Sequence, residues 1–331
     1  MKHGANIYKY AKKLGCNAKE IIDFSSNINL HQPATKTMPS HEMIVKYADT
    51  SYQDLTTIIA KKYQIKNASI ALYNGASSAI FTLLNTLDAK RTYLYAPLYG
   101  EYENAIQDKK NMIKIDRFTN LDAKVSKNSL VVFVNPSTPE GKHYNLKKLM
   151  RYWRKRNCTI ILDESFLEFE GLASYRAEIY NYNKLYIVHS FTKFHSCAGV
   201  RIGAVFSNKH NIKNLKIPRW NLSSFDVCFL SQRLQDESFE KKSKQLHLKQ
   251  KNELKNILKN SKLFSKIYKT DTNFFLVKTD DAKKLFKHLL EYKILVRDAS
   301  SFDFLDKRYL RFAIKDKKSH LVLKKALKEF R

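Results

Sequence analysis

The stretch LYIVHSFTKFHSCAGVRIG (185–203) is the place from which this chain is best read. A short apolar, β-rich run, Leu185–Val188, gives way to Thr192-Lys193, and Arg201 follows eight residues after the lysine. Taken singly, Lys193 suits a surface charge and Arg201 an ion pair. Further runs of the same kind stand upstream: Ser69–Tyr73 (SIALY), Thr92–Ala96 (TYLYA), Leu130–Val134 (LVVFV) and Thr159–Leu162 (TIIL). Continuous apolar strands separated by helical patterns predict βα units around a mostly parallel sheet, covered by helices on both faces. The fold class is α/β.

Sites in such sheets lie beyond the carboxyl ends of the strands. SIALY is followed by Asn74-Gly75-Ala76-Ser77-Ser78 at a helix entrance, where backbone N–H groups and serine hydroxyls suit a phosphate. LVVFV runs into Asn135-Pro136-Ser137-Thr138-Pro139-Glu140-Gly141, a rigid proline turn, and TIIL ends on Asp163-Glu164. After about residue 230 the texture changes. A lysine-rich helical stretch leads into NFFLVKT (273–279), a helix, ILVRD (294–298) and YLRFAIK (309–315), the pattern of a smaller α+β domain. The predicted organisation is an N-terminal segment, 1–40, packing with the small domain; a large domain, 41–232; and a small domain, 233–331.

The 331 residues suit about two domains. Gly (8) and Pro (6) are too scarce for collagen-like or Gly/Pro-rich disordered classes. No apolar run is long enough to span a membrane, and MKHGANIYKYAKK lacks the apolar core of a signal peptide, so a cytoplasmic location is expected. Four scattered cysteines (Cys16, Cys158, Cys197, Cys228) indicate neither a metal site nor a disulfide framework. The formal charge of +29 raises the question of nucleic acid. Its lysines are spread along the whole chain with no recognisable binding module, so nucleic acid is not the expected partner, and a basic protein on a degenerate enzyme fold is only a remote alternative. A basic surface also attracts phosphorylated small molecules.

The ordered set of a phosphate turn, an aromatic, a proline turn, an Asp, a Lys and an Arg resembles the fold-type I pyridoxal-phosphate enzymes of the class I/II aminotransferase superfamily. SFTKFHSCAGVRIG (190–203) matches that superfamily's S-x-TK-x-x-x-x-x-G-x-R-x-G segment. Within it, HGANIYKYAKKLG (3–15), IIDFSSNIN (21–29), LDESFLEF (162–169) and ILVRDASSF…LDKRYLRFAIK (294–315) are most similar to the threonine-phosphate decarboxylases of cobalamin synthesis, relatives of the histidinol-phosphate aminotransferases. The resemblance implies a homodimer using pyridoxal 5'-phosphate on a phosphorylated amino acid. The substrate would be threonine phosphate, giving aminopropanol phosphate, with serine phosphate as the variant and a histidinol-phosphate-type aminotransferase as the alternative.

The resemblance also implies roles. Lys193 would bind the cofactor covalently and then move protons, which needs an easily deprotonated amine. Asp163 would pair with the pyridine nitrogen, and Tyr99, with Tyr102 as substitute, would stack on the ring. Phe166 and Thr138 would lie near the ring oxygen. Gly75, Ala76, Ser77, Ser190, Thr192 and Arg201 would hold the cofactor phosphate, with Tyr47 reaching one across the dimer. Arg311 would grip the substrate carboxylate through its guanidinium fork. His3 and Arg297 would hold the substrate phosphate, with Asn27 near the substrate. The chain departs from the family at Thr138 (usually Asn), Glu140 (Thr), Ala198 and Ala48 (Pro), Ala76 (acidic) and Phe166 (often Tyr).

Overall fold

The computed structural model describes residues 6–34 and 39–330, so His3 lies outside the described residues. Thirteen strands are present among them: β1 Ile22–Asp23, β2 Ile70–Asn74, β3 Thr92–Ala96, β4 Met112–Asp116, β5 Leu130–Val134, β6 Thr159–Asp163, β7 Leu185–Ser190, β8 Ile202–Phe206, β9 Lys266–Ile267, β10 Phe274–Lys278, β11 Ile294–Leu295, β12 Arg297–Asp298 and β13 Tyr309–Ala313. Seven of them form the main sheet in the order β2-β8-β7-β6-β5-β3-β4. All run parallel except β8, which pairs antiparallel with both β2 and β7.

The sequence pattern does not predict the reversed strand. Only residues 191–201 separate β7 from β8, too few for the crossover that a parallel neighbour requires. The chain therefore turns back on itself, and Lys193 sits in that turn. Strand β4 also went unread, because MIKID alternates with charge at the sheet's edge and leaves Ile113 partly exposed.

Alternation along each strand divides the core into two layers. Val131 and Phe133 face a layer with Tyr95 and Trp153, while Val132 and Val134 face one with Tyr73 and Ile161. Central strands β5 and β7 are buried at every position, which explains the unbroken apolar runs Leu130–Val134 and Leu185–Val188.

A second, antiparallel sheet has the order β12-β13-β10-β9 and is covered by helices Glu237–Asn260, Ala282–Glu291 and Lys317–Glu329. The last of these turns Leu323 and Leu327 inward and leaves Leu321 exposed, the solvated-face arrangement its lysines suggest. The N-terminal segment joins this unit through β1, which pairs with β11, and through Ala11 and Ile21 packing on Leu290 and Leu295. It also reaches the large sheet. Asn29 N–H donates to the Lys193 carbonyl at 3.0 Å, and Ser196 Oγ donates to the carbonyls of Asn29 and His31.

Candidate active site

The carboxyl ends of β5, β6 and β7 open onto a cavity of about 330 Å³, closed on its far side by the small sheet and the N-terminal segment. Asn27, Tyr99, Thr138, Asp163, Phe166, Thr192, Lys193, Arg201, Arg297 and Arg311 all line it. Residues from six separate stretches of sequence thus meet in one place.

Asp163 ends β6, and its carboxylate is fixed from two sides. Tyr102 donates its hydroxyl to Oδ2 at 2.9 Å, and the Ser165 N–H donates to Oδ1 at 2.9 Å. Tyr102 is wholly buried beneath the site, so it cannot serve as the substitute stacking ring; Tyr99 stands in the cavity wall instead. Burial lowers the Lys193 amine below its ordinary range, Asp163 opposes that, and Arg311 and Arg201 add to it. Its Nζ lies 5.0 Å from the centre of the Phe166 ring. A desolvated lysine beside cations is an amine ready to act as nucleophile or base.

Arg201 closes one end of the cavity. It lies against Gly75, whose φ of +74° opens helix Gly75–Thr86; a Cβ at Gly75 would come 2.6 Å from Arg201 Nη2. A Cβ at Gly203 would likewise meet the Ala76 nitrogen at 2.4 Å. The two glycines thus let β8, Arg201 and the helix start converge. Ser190 and Thr192 hydroxyls lie 2.8 Å apart, and Ser77 Oγ is 3.3 Å from the Tyr99 hydroxyl. Helix N–H groups, hydroxyls and a guanidinium at one point form a cradle for a phosphate dianion. Gly75, Ala76, Ser77 and Ser190 build its back and are not in the cavity wall. Tyr47 is not brought to the site within one chain: it is 81% exposed and stacks on Trp220 with ring centres 4.6 Å apart.

Opposite stand two buried arginines, paired in register across β12 and β13. Arg311 Nη1 donates to Thr138 Oγ1 at 3.1 Å and Nη2 to the Ser25 carbonyl at 3.2 Å, while Nε has no hydrogen-bond partner among the described residues. Burial, then the charge of Arg297, pushes Arg311 down to about 9 against the opposing pull of Asp23. Arg297 donates to Ser301 Oγ at 2.9 Å and lies over the Phe302 ring.

Sequence reasoning missed several parts of this site. Ser25, Ser26 and Ile28 line the cavity from the N-terminal segment, and Phe302 lines it beside Arg297; all sit in stretches that carry the family resemblance, though no residue type singled them out. Nothing local announces the ion pair behind the proline turn. There, wholly buried Arg117 donates to Glu140 Oε2 at 2.7 Å and to the carbonyls of Tyr95, Pro97 and Thr138. Glu140, a departure from the family, thereby fixes the turn that presents Thr138.

The sequence profile of the family described as Aminotransferase class I and II matches residues 19–327. The chain is 29% identical over 338 residues to an adenosylcobalamin biosynthesis bifunctional protein, CobDQ, of Leptospira interrogans, covering 95% of this chain but only 39% of that longer protein. It is 23% identical over 338 residues to a threonine-phosphate decarboxylase of Salmonella typhimurium, covering 95% and 92% of the two chains. Its structure is similar to that of the histidinol-phosphate aminotransferase from Clostridium acetobutylicum, with a TM-score of 0.81 and 27% identity over 93% of this chain and 98% of the other.

Proposed function

From the premise that the chain belongs to the class I and II aminotransferase family, and is a pyridoxal-phosphate enzyme of fold type I, we propose that it decarboxylates a phosphorylated amino acid. The preferred substrate in this reading is L-threonine phosphate, yielding aminopropanol phosphate for cobalamin synthesis, with serine phosphate as the variant. One observation carries it: two buried arginines, Arg297 and Arg311, share a cavity wall and repel each other. Buried like charges call for anions between them. A phosphorylated amino acid brings two anionic groups, a carboxylate and a phosphate.

The residues fit the cofactor. The cradle at Gly75, Ser77, Ser190, Thr192 and Arg201 would take its phosphate, and the fixed Asp163 carboxylate its ring nitrogen. Tyr99 would cover a ring face, with Thr138 and Phe166 at the ring's edge. When bound, the cofactor supplies an electron sink for a carbanion at the substrate Cα. Arg311 would orient the carboxylate so that the bond to it stands across the ring, Arg297 with His3 would hold the distal phosphate with Asn27 near the substrate, and Lys193 would return a proton to Cα. We further propose a homodimer formed over the exposed Ile44, Val45, Tyr47 and Trp220.

A second reading, a histidinol-phosphate-type aminotransferase, is supported by the similarity to the clostridial structure. Histidinol phosphate carries one anionic group and no carboxylate, so it would engage only one of the two arginines. Mass spectrometry of products separates the two. Protein loaded with pyridoxal phosphate is incubated with threonine phosphate, serine phosphate or histidinol phosphate, with and without 2-oxoglutarate. CO₂ and an amino-alcohol phosphate, formed without the keto acid, are expected. Glutamate formation without CO₂ would replace this reading by the aminotransferase.

A further inference from the structure

The N-terminal stretch 24–31 lines the cavity with Ser25, Ser26, Asn27 and Ile28 and is bonded along its length to two different bodies. Toward the small sheet, four consecutive carbonyls are taken: Phe24 O by Ala313 N–H at 2.8 Å, Ser25 O by Arg311 at 3.2 Å, Ser26 O by Lys315 Nζ at 3.0 Å and Asn27 O by Asn273 Nδ2 at 2.8 Å. Toward the lysine turn, Asn29 receives and gives. Its N–H donates to Lys193 O, its Nδ2 donates to Phe194 O at 2.6 Å, and its carbonyl accepts from Ser196 Oγ. The start of the stretch is set by Asp23, whose Oδ1 accepts from the N–H groups of Ser25 and Ser26 and from Ser25 Oγ.

Two features single out Lys315 within this ladder. It lies outside the cavity wall, so it is not placed to meet substrate. Yet it is half-buried, which lowers the pKa of its amine despite Asp23 and Asp316, and its hydrogen bond goes to a main-chain oxygen. A cation partly desolvated to hold a carbonyl gains little for stability alone, since an apolar side chain of the same size would pack there without that cost. Positioning is the use that accounts for it.

We propose that residues 24–31 form a strap coupling the substrate arginine to the cofactor lysine, with Lys315 and Asn29 as its positioning residues. Lys315 seats the strap end beside Arg311, so that Ser25 O and Thr138 Oγ1 together aim the guanidinium fork. Asn29 seats the other end against the backbone of Lys193 and Phe194. The strap sets the distance and angle between the group that grips the substrate and the group that moves its proton. Small errors in that geometry cost rate steeply, because reacting groups must be near attack distance. This inference rests on the reading of Arg311 as the carboxylate-binding residue.

The test uses the pyridoxal-phosphate-loaded full chain and whichever of threonine phosphate or serine phosphate gives product in the assay above, or glutamate, the amino acid of the transamination outcome, where neither does. Binding is read from the change in cofactor absorption, alongside kcat, cofactor release and melting temperature. Lys315→Met is expected to weaken amino-acid binding about tenfold with the resting spectrum and melting temperature unchanged, and Lys315→Gln to restore part of the loss. Asn29→Ala is expected to lower kcat and speed cofactor release, with amino-acid binding within about twofold of the parent. Unchanged binding in Lys315→Met, or a loss that merely follows a falling melting temperature and cofactor content, overturns the strap. Arg311→Met serves as the control: if it binds the amino acid normally, the carboxylate reading fails; if it does not while Lys315→Met does, the strap alone fails.

Discussion

The two walls of the cavity are built on opposite principles. On the sheet wall, charges are matched: Asp163 faces Lys193, and its oxygens are filled by Tyr102 and the Ser165 N–H. On the small-unit wall, Arg311 is buried with neutral acceptors only, one donor idle, and a second arginine beside it. A matched wall is complete in itself and can hold a permanent group in one geometry. An unmatched wall is completed by what arrives, so its desolvation cost turns into selectivity for anions.

Removing the centre of the matched wall should have the largest consequence. Lys193→Ala is expected to lower turnover by about 10⁴-fold and to abolish borohydride-trappable cofactor in the mass spectrum of the protein. Turnover or trapping that survives would dismantle the assignment of that wall.

Behind the same wall, Glu140→Gln would leave the wholly buried Arg117 uncompensated. Urea titration should show a loss of about 3–5 kcal/mol, the usual cost of breaking a buried pair. A loss below about 1 kcal/mol would mean the proline turn is held by its backbone bonds alone.

Behind the small-unit wall, His320 accepts the Lys315 N–H on Nε2 and is wholly enclosed, and burial pushes it down to about 4 despite Asp316. Its folded-state pKa lies below the unfolded one, so unfolding takes up a proton between the two values. Stability is therefore full above about pH 6.5 and falls as pH drops to about 4, by roughly 3 kcal/mol. Urea midpoints measured from pH 7 to pH 4 should show this slope, and His320→Leu should flatten it.

The smallest expected change sharpens the contrast itself. Arg311→Met should weaken amino-acid binding about 100-fold while leaving cofactor absorption unchanged, and should raise the melting temperature of the substrate-free protein by a few degrees. A lower melting temperature would show that Arg311 is compensated after all, and the two walls would then be alike.

How much of this could be read beforehand follows from the range of each interaction. Strands β5, β6 and β7 are buried on both faces, so their apolar runs stand out, and the polar residues that end them are conspicuous for the same reason. Asp163, Thr192 and Lys193 were legible on those terms, and Arg201 by its place in the motif that follows the lysine. Edge strand β4 is hidden by its charges, and strand β8, IGAVF, carries nothing local that announces its direction. Arg117 with Glu140 and Lys315 with Ser26 are separated by 23 and 289 residues and have no periodicity to betray them.

Local pattern, which needs only neighbours along the chain, was enough for the α/β class, the strand ends and, through resemblance, the cofactor. It also placed Arg297 and Arg311 in one C-terminal stretch. That these arginines are buried, that they face Lys193 across a cavity, and that a strap from the N-terminus bonds to both sides belong to the tertiary structure alone. Burial and charge compensation are properties of what surrounds a residue in space, and those surroundings come from segments far apart in the chain.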